Sequence, residues 1–341
     1  MLEVSKVQKT YGDHRALRNL SFSAVDGRIV GFLGPNGAGK TTAMNILSGF
    51  MEPTSGTVRV CGMDLAKERK KALEVTGYLP ENPPLYPEMT VVEYLRFTAA
   101  LKGLRGRRGE EEAIRLMKLL QTEGEASKLI GRLSKGTKQR VAIAGALVGS
   151  PKVLLLDEPS NGLDPGQTAA FKKVLKDLKK SGSTIIVSSH ILSQISDLCD
   201  EMLIINRGRL IASGTAEFFE KKLSRDGGLV VDIPAPEAEC RKVLENIAHI
   251  CSTRYEGRTA SGASEFTISG YRTDIRKELF SAIAESGLYI ERLVPAGKTL
   301  EEIYLGMIEA SEAEFEKARK RAEQKRTEQE KKGEDDEDDL F

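Results

Sequence analysis

Gly34-Pro35-Asn36-Gly37-Ala38-Gly39-Lys40-Thr41-Thr42 decides how this chain is read. The apolar run Arg28–Leu33 before it predicts a strand, and Thr41–Phe50 after it predicts a helix. Glycines at 34, 37 and 39 allow the backbone to fold so tightly that successive N–H groups turn inward. The start of the following helix adds partial positive charge, and the two effects together make a phosphate cradle. Within it, Lys40 is placed to reach the terminal phosphates of a nucleotide, and Thr41 to offer its hydroxyl to Mg²⁺.

A cradle alone hydrolyses nothing. Val153-Leu154-Leu155-Leu156-Asp157-Glu158-Pro159 supplies the missing carboxylates. Four apolar residues predict a buried strand, and Asp157 emerges at its C-terminal end, where parallel sheets bind their ligands. Asp157 is the expected metal-holding group, and the adjacent Glu158 is the one suited to polarise an attacking water. Leu133-Ser134-Lys135-Gly136-Thr137-Lys138-Gln139-Arg140 precedes another helical run and puts a hydroxyl and a glycine at a helix start. That is a second place fit for an anion.

Short apolar runs at Lys152–Leu156 and Thr184–Ser188 alternate with helical stretches, the order of a wound α/β sheet. After a break near Gly214–Gly228 the order changes to strand Leu229–Ile233, helix Pro236–Ile247, strands His249–Tyr255 and Glu265–Ser269, helix Thr273–Ser286 and strand Leu288–Leu293. That βαββαβ order predicts a small α+β, ferredoxin-like domain. A last helix is expected from Thr299, a charged one from Lys317 to Lys332, and then six consecutive acids, Glu334–Asp339. The acidic run reads as a disordered, solvated tail, with an electrostatic contact to a basic partner as the alternative. The division is therefore 1–215, 229–310 and 311–341.

Composition excludes several classes. Lys+Arg is 51 against 50 Asp+Glu, so no basic excess points to nucleic acid. No apolar run reaches the length that crosses a bilayer. The 4 cysteines lie far apart with no CxxC pair, which suits neither a zinc site nor a disulfide framework and fits a reducing compartment.

Over residues 1–215 the ordered set resembles the ATP-binding subunit of an ABC transporter. Gly34–Thr42 resembles the Walker A motif, Val153–Glu158 Walker B, Leu133–Arg140 the LSGGQ signature and Ser160–Asp164 the D-loop. His190 falls at the family's switch histidine, Tyr11 at the aromatic that stacks on adenine, and Glu81 at the glutamine of the Q-loop. The signature departs from the pattern: Lys135 replaces a glycine and Thr137 a glutamine. The resemblance implies a P-loop NTPase core with a helical subdomain, binding ATP and Mg²⁺. It implies catalysis by Glu158 and His190 with a contribution from Glu81, and metal contacts from Thr41, Asp157 and Glu81. It implies a head-to-tail homodimer in which Ser134 and Gly136 reach the γ-phosphate held by the other copy.

The run from Gly31 to Gly56 looks most like exporter-type ATPases, whose membrane subunits are separate chains, and within them most like the gliding-motility group. The resemblance thus implies an ATPase at the cytoplasmic face of the membrane, attached through a permease. The proline-rich loop Asn82–Met89 sits where the family receives the permease's coupling helix. The alternatives are a soluble ABC ATPase acting on nucleic acid or ribosomes, and a regulator that binds ATP without turning it over. Ser134 follows Lys40 by only 94 residues, too few for the long coiled coils of chromosome-maintenance relatives, and there is one Walker A, not the two of translation factors. Glu158 and His190 speak against a non-hydrolysing regulator.

Overall fold

The computed structural model describes residues 1–223, 228–247, 250–270, 275–295 and 300–317. They fall into two compact units, Met1–Ala216 with the chain from Gly306 onward, and Glu217–Leu305.

The first unit opens with β1 (Leu2–Tyr11) and β2 (His14–Ala24), an antiparallel hairpin turning at Gly12, then β3 (Ile29–Leu33) and α1 (Lys40–Leu47). Next come β4 (Ser55–Val60), β5 (Met63–Asp64), α2 (Arg69–Glu74) and β6 (Thr76–Leu79). A helical arm follows: α3 (Val91–Leu101), α4 (Arg107–Leu119) and α5 (Lys135–Leu147). The chain then runs β7 (Val153–Asp157), α6 (Pro165–Lys180), β8 (Thr184–Ser189), β9 (Glu201–Asn206) and β10 (Arg209–Gly214). The strands make two sheets, β2-β1-β4-β5 and β10-β9-β3-β8-β7-β6. The second is parallel apart from the β9–β10 pair.

Residue type explains the sheets. Both faces of the parallel sheet are covered, and every residue of β3 and β7 is buried, as continuous aliphatic runs require. Burial of each such side chain stabilises by roughly 1.5–3 kcal/mol. Leu2, Val4 and Val7 of β1 join Phe32, Met44, Leu47 and Leu155 in one core, which fastens α1 between the two sheets. In the arm, α3 starts at a capping box. The Thr90 hydroxyl accepts from the Glu93 N–H (3.3 Å), and the Glu93 carboxylate accepts from the Thr90 N–H (2.8 Å). Asp164 and Gln167 do the same for α6, with Pro165 at its first position.

The second unit contains α7 (Ala216–Leu223, its first residue in the first unit), β11 (Gly228–Ile233), α8 (Glu237–Glu245), β12 (Ile250–Arg258), β13 (Ser264–Gly270), α9 (Arg276–Glu285) and β14 (Arg292–Pro295). Its strands form an antiparallel sheet in the order β12-β13-β11-β14. Val231, Ile233, Phe266 and Ile268 pack with Cys240 and Leu244 of α8 and Leu279 and Ile283 of α9 in a core of their own. The strand expected at Leu288–Leu293 is displaced to Arg292–Pro295. Leu288 and Ile290 pack against the core without joining the ladder, which β14 enters at Arg292 opposite Asp232. A last helix, α10, covers 300–317, and its part from Gly306 belongs to the first unit. Thr299, the helix expected beyond Lys317 and the acidic run lie outside the described residues.

Candidate active site

Strand register brings the two decisive stretches together. In the order β3-β8-β7, Leu33 lies level with Ser189 and Asp157 with Ser188. The loop after Leu33, the carboxylates at the end of β7 and the histidine after β8 therefore leave the same rim of the sheet. They close on a cavity of about 450 Å³ whose lining includes Lys40, Thr41, Thr42, Glu81, Glu158 and His190.

Gly39 shows why the loop needs glycine. Its φ is +103°, and a Cβ there would come within 2.8 Å of the Ala16 carbonyl oxygen and 2.9 Å of Leu17 Cδ2. The turn delivers Lys40 into the interior at 6% exposure. Its ammonium donates to the carbonyls of Gly34 (2.8 Å) and Pro35 (3.2 Å) and stands 3.7 Å from Glu158 Oε1. Burial pulls the lysine below its ordinary pKa, opposed by the charges of Glu158, Asp157 and Glu81. A desolvated ammonium beside a cradle of N–H groups favours a multiply charged anion.

The carboxylates are held by Ser188. Its hydroxyl donates to Asp157 Oδ1 and accepts the N–H of Glu158 at 3.0 Å. Asp157 is fully buried, and its Oδ2 has no hydrogen-bond partner among the described residues. Glu158 sits at φ +48°, a left-handed backbone that a side chain rarely adopts. Strain of this kind is kept where surrounding structure enforces it, and it marks functional positions. The twist places Glu158 Oε1 2.9 Å from His190 Nδ1.

Tyr11 and His14, at the two ends of the β1–β2 turn, line the same cavity with Ala16. Tyr11 is 44% exposed, and its hydroxyl donates to Met51 Sδ at 2.8 Å, which leaves the ring at the mouth. Asn36, Gly37 and Gly39 also line it. Ser134 and Gly136 do not. Ser134 instead caps α5, accepting the Thr137 N–H at 3.2 Å, and the two hydroxyls share a hydrogen bond of 2.9 Å. A Cβ at Gly136 would meet Gln167 Oε1 at 2.6 Å and the Gly162 carbonyl at 3.1 Å, so this glycine lies against the Ser160–Asp164 stretch. The Lys135 side chain covers Gly162, and Gln139 donates to the Pro159 carbonyl at 3.0 Å.

Three features escape a reading of motifs. His14 and Ala16 become visible only once Gly12-Asp13 is recognised as a hairpin turn that folds β2 back along β1. The double role of Ser188 needs the β7–β8 register. The left-handed backbone of Glu158 leaves no trace in the residue itself.

Residues 17–161 match the family described as ABC transporter. Over 310 residues, covering 91% of this chain and all of the relative, the chain is 31% identical to the uncharacterized ABC transporter ATP-binding protein YxlF of Bacillus subtilis strain 168. It is 34% identical over 258 residues to the Nod factor export ATP-binding protein I of Cupriavidus metallidurans, covering 75% of this chain and 84% of that one. A solved dimer of the ATP-binding cassette MJ0796, in a post-hydrolysis state bound to ADP and Pi, matches with a TM-score of 0.60 and 27% identity over 63% of this chain and 98% of that one.

Proposed function

The chain belongs to the ATP-binding subunits of ABC transporters, and from that premise we propose how its residues divide the work of hydrolysing ATP to drive transport. The observation that carries the proposal is the meeting of Lys40, Glu158 and His190 at one cavity, with Glu158 Oε1 3.7 Å from the ammonium and 2.9 Å from the imidazole. The N–H groups of Gly34–Thr42 hold the phosphates, Lys40 neutralises the terminal ones, and the ring of Tyr11 stacks on adenine. Glu158 takes a proton from the attacking water as the water's oxygen bonds to the γ-phosphorus and the bond from that phosphorus to the bridging oxygen breaks. ADP carries away the electron pair, phosphate is the other product, and His190 fixes the carboxylate's direction. Glu81, exposed at the cavity wall, offers a further oxygen to that water.

A divalent cation fits the oxygen donors present. The unpartnered Oδ2 of Asp157, the Thr41 hydroxyl and the carboxylate of Glu81 suit Mg²⁺, which keeps several waters and takes other ligands from phosphate. Among the described residues no cluster of three or more His, Cys, Asp or Glu forms a protein-only metal site. The ion would supply charge neutralisation of the phosphates.

Ser134 and Gly136 act, in this proposal, on the nucleotide of a second copy in a head-to-tail homodimer, which accounts for their absence from this chain's own cavity lining. The permease is a separate membrane chain, and the described residues contain no helix long and apolar enough to cross a membrane. Its docking point is the loop Asn82–Met89. There Tyr86, 41% exposed, stacks edge-on against Phe97 at 5.6 Å and makes an aromatic platform beside α3. That docking places the chain at the cytoplasmic face of the membrane, and the similarity to a Nod factor export protein favours export. The βαββαβ order and the sheet order β12-β13-β11-β14 support a ferredoxin-like fold for the second unit, with a regulatory or dimerising role.

Glu158→Gln tests the assignment. The variant is expected to bind ATP as the native protein does, to accumulate as an ATP-bound dimer on gel filtration, and to lose turnover by about 10² or more, on the order of 3 kcal/mol. Native-rate phosphate release by this variant removes Glu158 from the mechanism.

A further inference from the structure

A second hollow, of about 590 Å³, is lined by Arg15, Arg18 and Arg209 together with Gln8, Asn19 and Ser21. No carboxylate lines it among the described residues. The Nε of Arg18 is buried without a hydrogen-bond partner. Burial and then the charges of Arg209, Arg15 and Arg207 lower the pKa of Arg18, so the cluster repels itself. Such a group of guanidiniums is built to receive several negative charges at once.

The described chain ends beside this hollow. In α10, Phe315 lies under the guanidinium of Arg18 at 5.1 Å and that of Arg207 at 4.4 Å, and Glu316 pairs with Arg207 at 3.7 Å. Beyond Lys317, outside the described residues, the sequence continues to the six consecutive acids Glu334–Asp339. Sixteen residues separate Lys317 from Glu334. At an upper limit of roughly 3.3–3.6 Å per residue their reach far exceeds the breadth of a hollow that adjoins Phe315.

We propose that the Arg15–Arg18–Arg209 hollow is the seat of the chain's own acidic run, Glu334–Asp339, bound within the same molecule. Charge complementarity and the exit of α10 at Arg18 and Arg207 select this occupant. The seat has a route to the phosphate loop. The Arg18 N–H donates to the Gly208 carbonyl at 2.8 Å, and the Gly208 N–H donates to the Ala38 carbonyl at 2.8 Å. Occupation of the hollow therefore braces the turn that supports Gly34–Thr42 from behind.

The test is the rate at which phenylglyoxal modifies Arg15 and Arg209 in the full chain, followed residue by residue by mass spectrometry, with the exposed Arg59 as internal reference. The native protein is compared with one carrying Glu334→Gln, Asp335→Asn, Asp336→Asn, Glu337→Gln, Asp338→Asn and Asp339→Asn. Neutralising the run is expected to speed modification of Arg15 and Arg209 by roughly threefold or more at low salt, while Arg59 is unchanged. The difference should vanish near 1 M NaCl, where the screening length falls to about 3 Å, and should not depend on protein concentration. Equal rates in the two proteins overturn the proposal. Protection that fades on dilution also overturns it, by assigning the seat to a second copy. Protection produced only by added inorganic phosphate, or only by vesicles containing phosphatidylglycerol, overturns it in favour of a phosphate-bearing ligand.

Discussion

Ser188 serves two neighbours with one hydroxyl, donating to Asp157 and accepting from the Glu158 N–H. Ser188→Ala leaves a buried carboxylate oxygen and a buried N–H without partners, at a cost of about 1–3 kcal/mol in stability. Because that N–H belongs to the strained residue whose carboxylate meets His190, kcat is expected to fall more than KM rises in a phosphate-release assay; equal loss in both would reduce Ser188 to a packing residue. Lys40 makes the opposite case. Among the described residues its ammonium meets two loop carbonyls and one carboxylate, and in the proposed mechanism the nucleotide's phosphates add the further negative charge. Lys40→Ala should weaken ATP binding by roughly 10–150-fold, the equivalent of a charge-assisted hydrogen bond of about 1.5–3 kcal/mol, measured by nucleotide titration.

Among the elements, α4 is tied to the sheet by Glu112. Its carboxylate takes two hydrogen bonds of 2.8 Å from Arg115 and one of 2.9 Å from the N–H of Gly149, just before β7. The Arg115 bonds foremost hold this carboxyl below its usual pKa, against the opposing effect of burial. A depressed carboxylate stabilises the fold fully above its unfolded value, about 4.3, and loses that contribution as pH falls through the lower folded value. Glu112→Gln should therefore cost about 1–2 kcal/mol at pH 7 and flatten the acid limb of the unfolding curve below roughly pH 4.3. An unchanged acid limb would show that the pair is only a surface ornament. Elements of this kind differ in how plainly the chain announces them. β3, β7 and the phosphate loop are legible because continuous aliphatic runs end in residues with little other use, Gly-Lys-Thr and Asp-Glu. The β1–β2 hairpin is not, because its register slips between Val4 and Val7 and again at Lys9, which breaks the simple alternation that marks a strand. The second unit's element order is legible, yet β14 starts later than its apolar residues suggest, since Leu288 and Ile290 serve the core without pairing. Asp157 and Glu158 can be named from sequence as a pair, but the left-handed backbone of Glu158 and the serine that holds both come from tertiary pairing.

At the scale of the whole molecule, two of the cores among the described residues share no residue, one around Phe32 and Met44, the other around Val231 and Phe266. In the proposed mechanism ATP meets residues of the first unit, Lys40, Glu158 and His190 among them. Calorimetry of the Glu158→Gln protein is expected to resolve two transitions, of which nucleotide at a hundredfold excess over its dissociation constant raises one by about 5–10 °C and leaves the other in place. A single transition that moves as a whole would mean the units melt together. The position of β7 has a consequence in time as well as in space. It is flanked by β6 and β8 on its two edges and is buried along its whole length. The amides of Leu154, Leu155 and Leu156 should then exchange with deuterium only when the whole unit opens, hours after those of β10, an edge strand of the same sheet. Asp157 is the last residue of that strand and Glu158 the next one along. The groups that work fastest are fastened to the part of the molecule that opens most slowly, so the geometry of catalysis outlasts the breathing of everything around it.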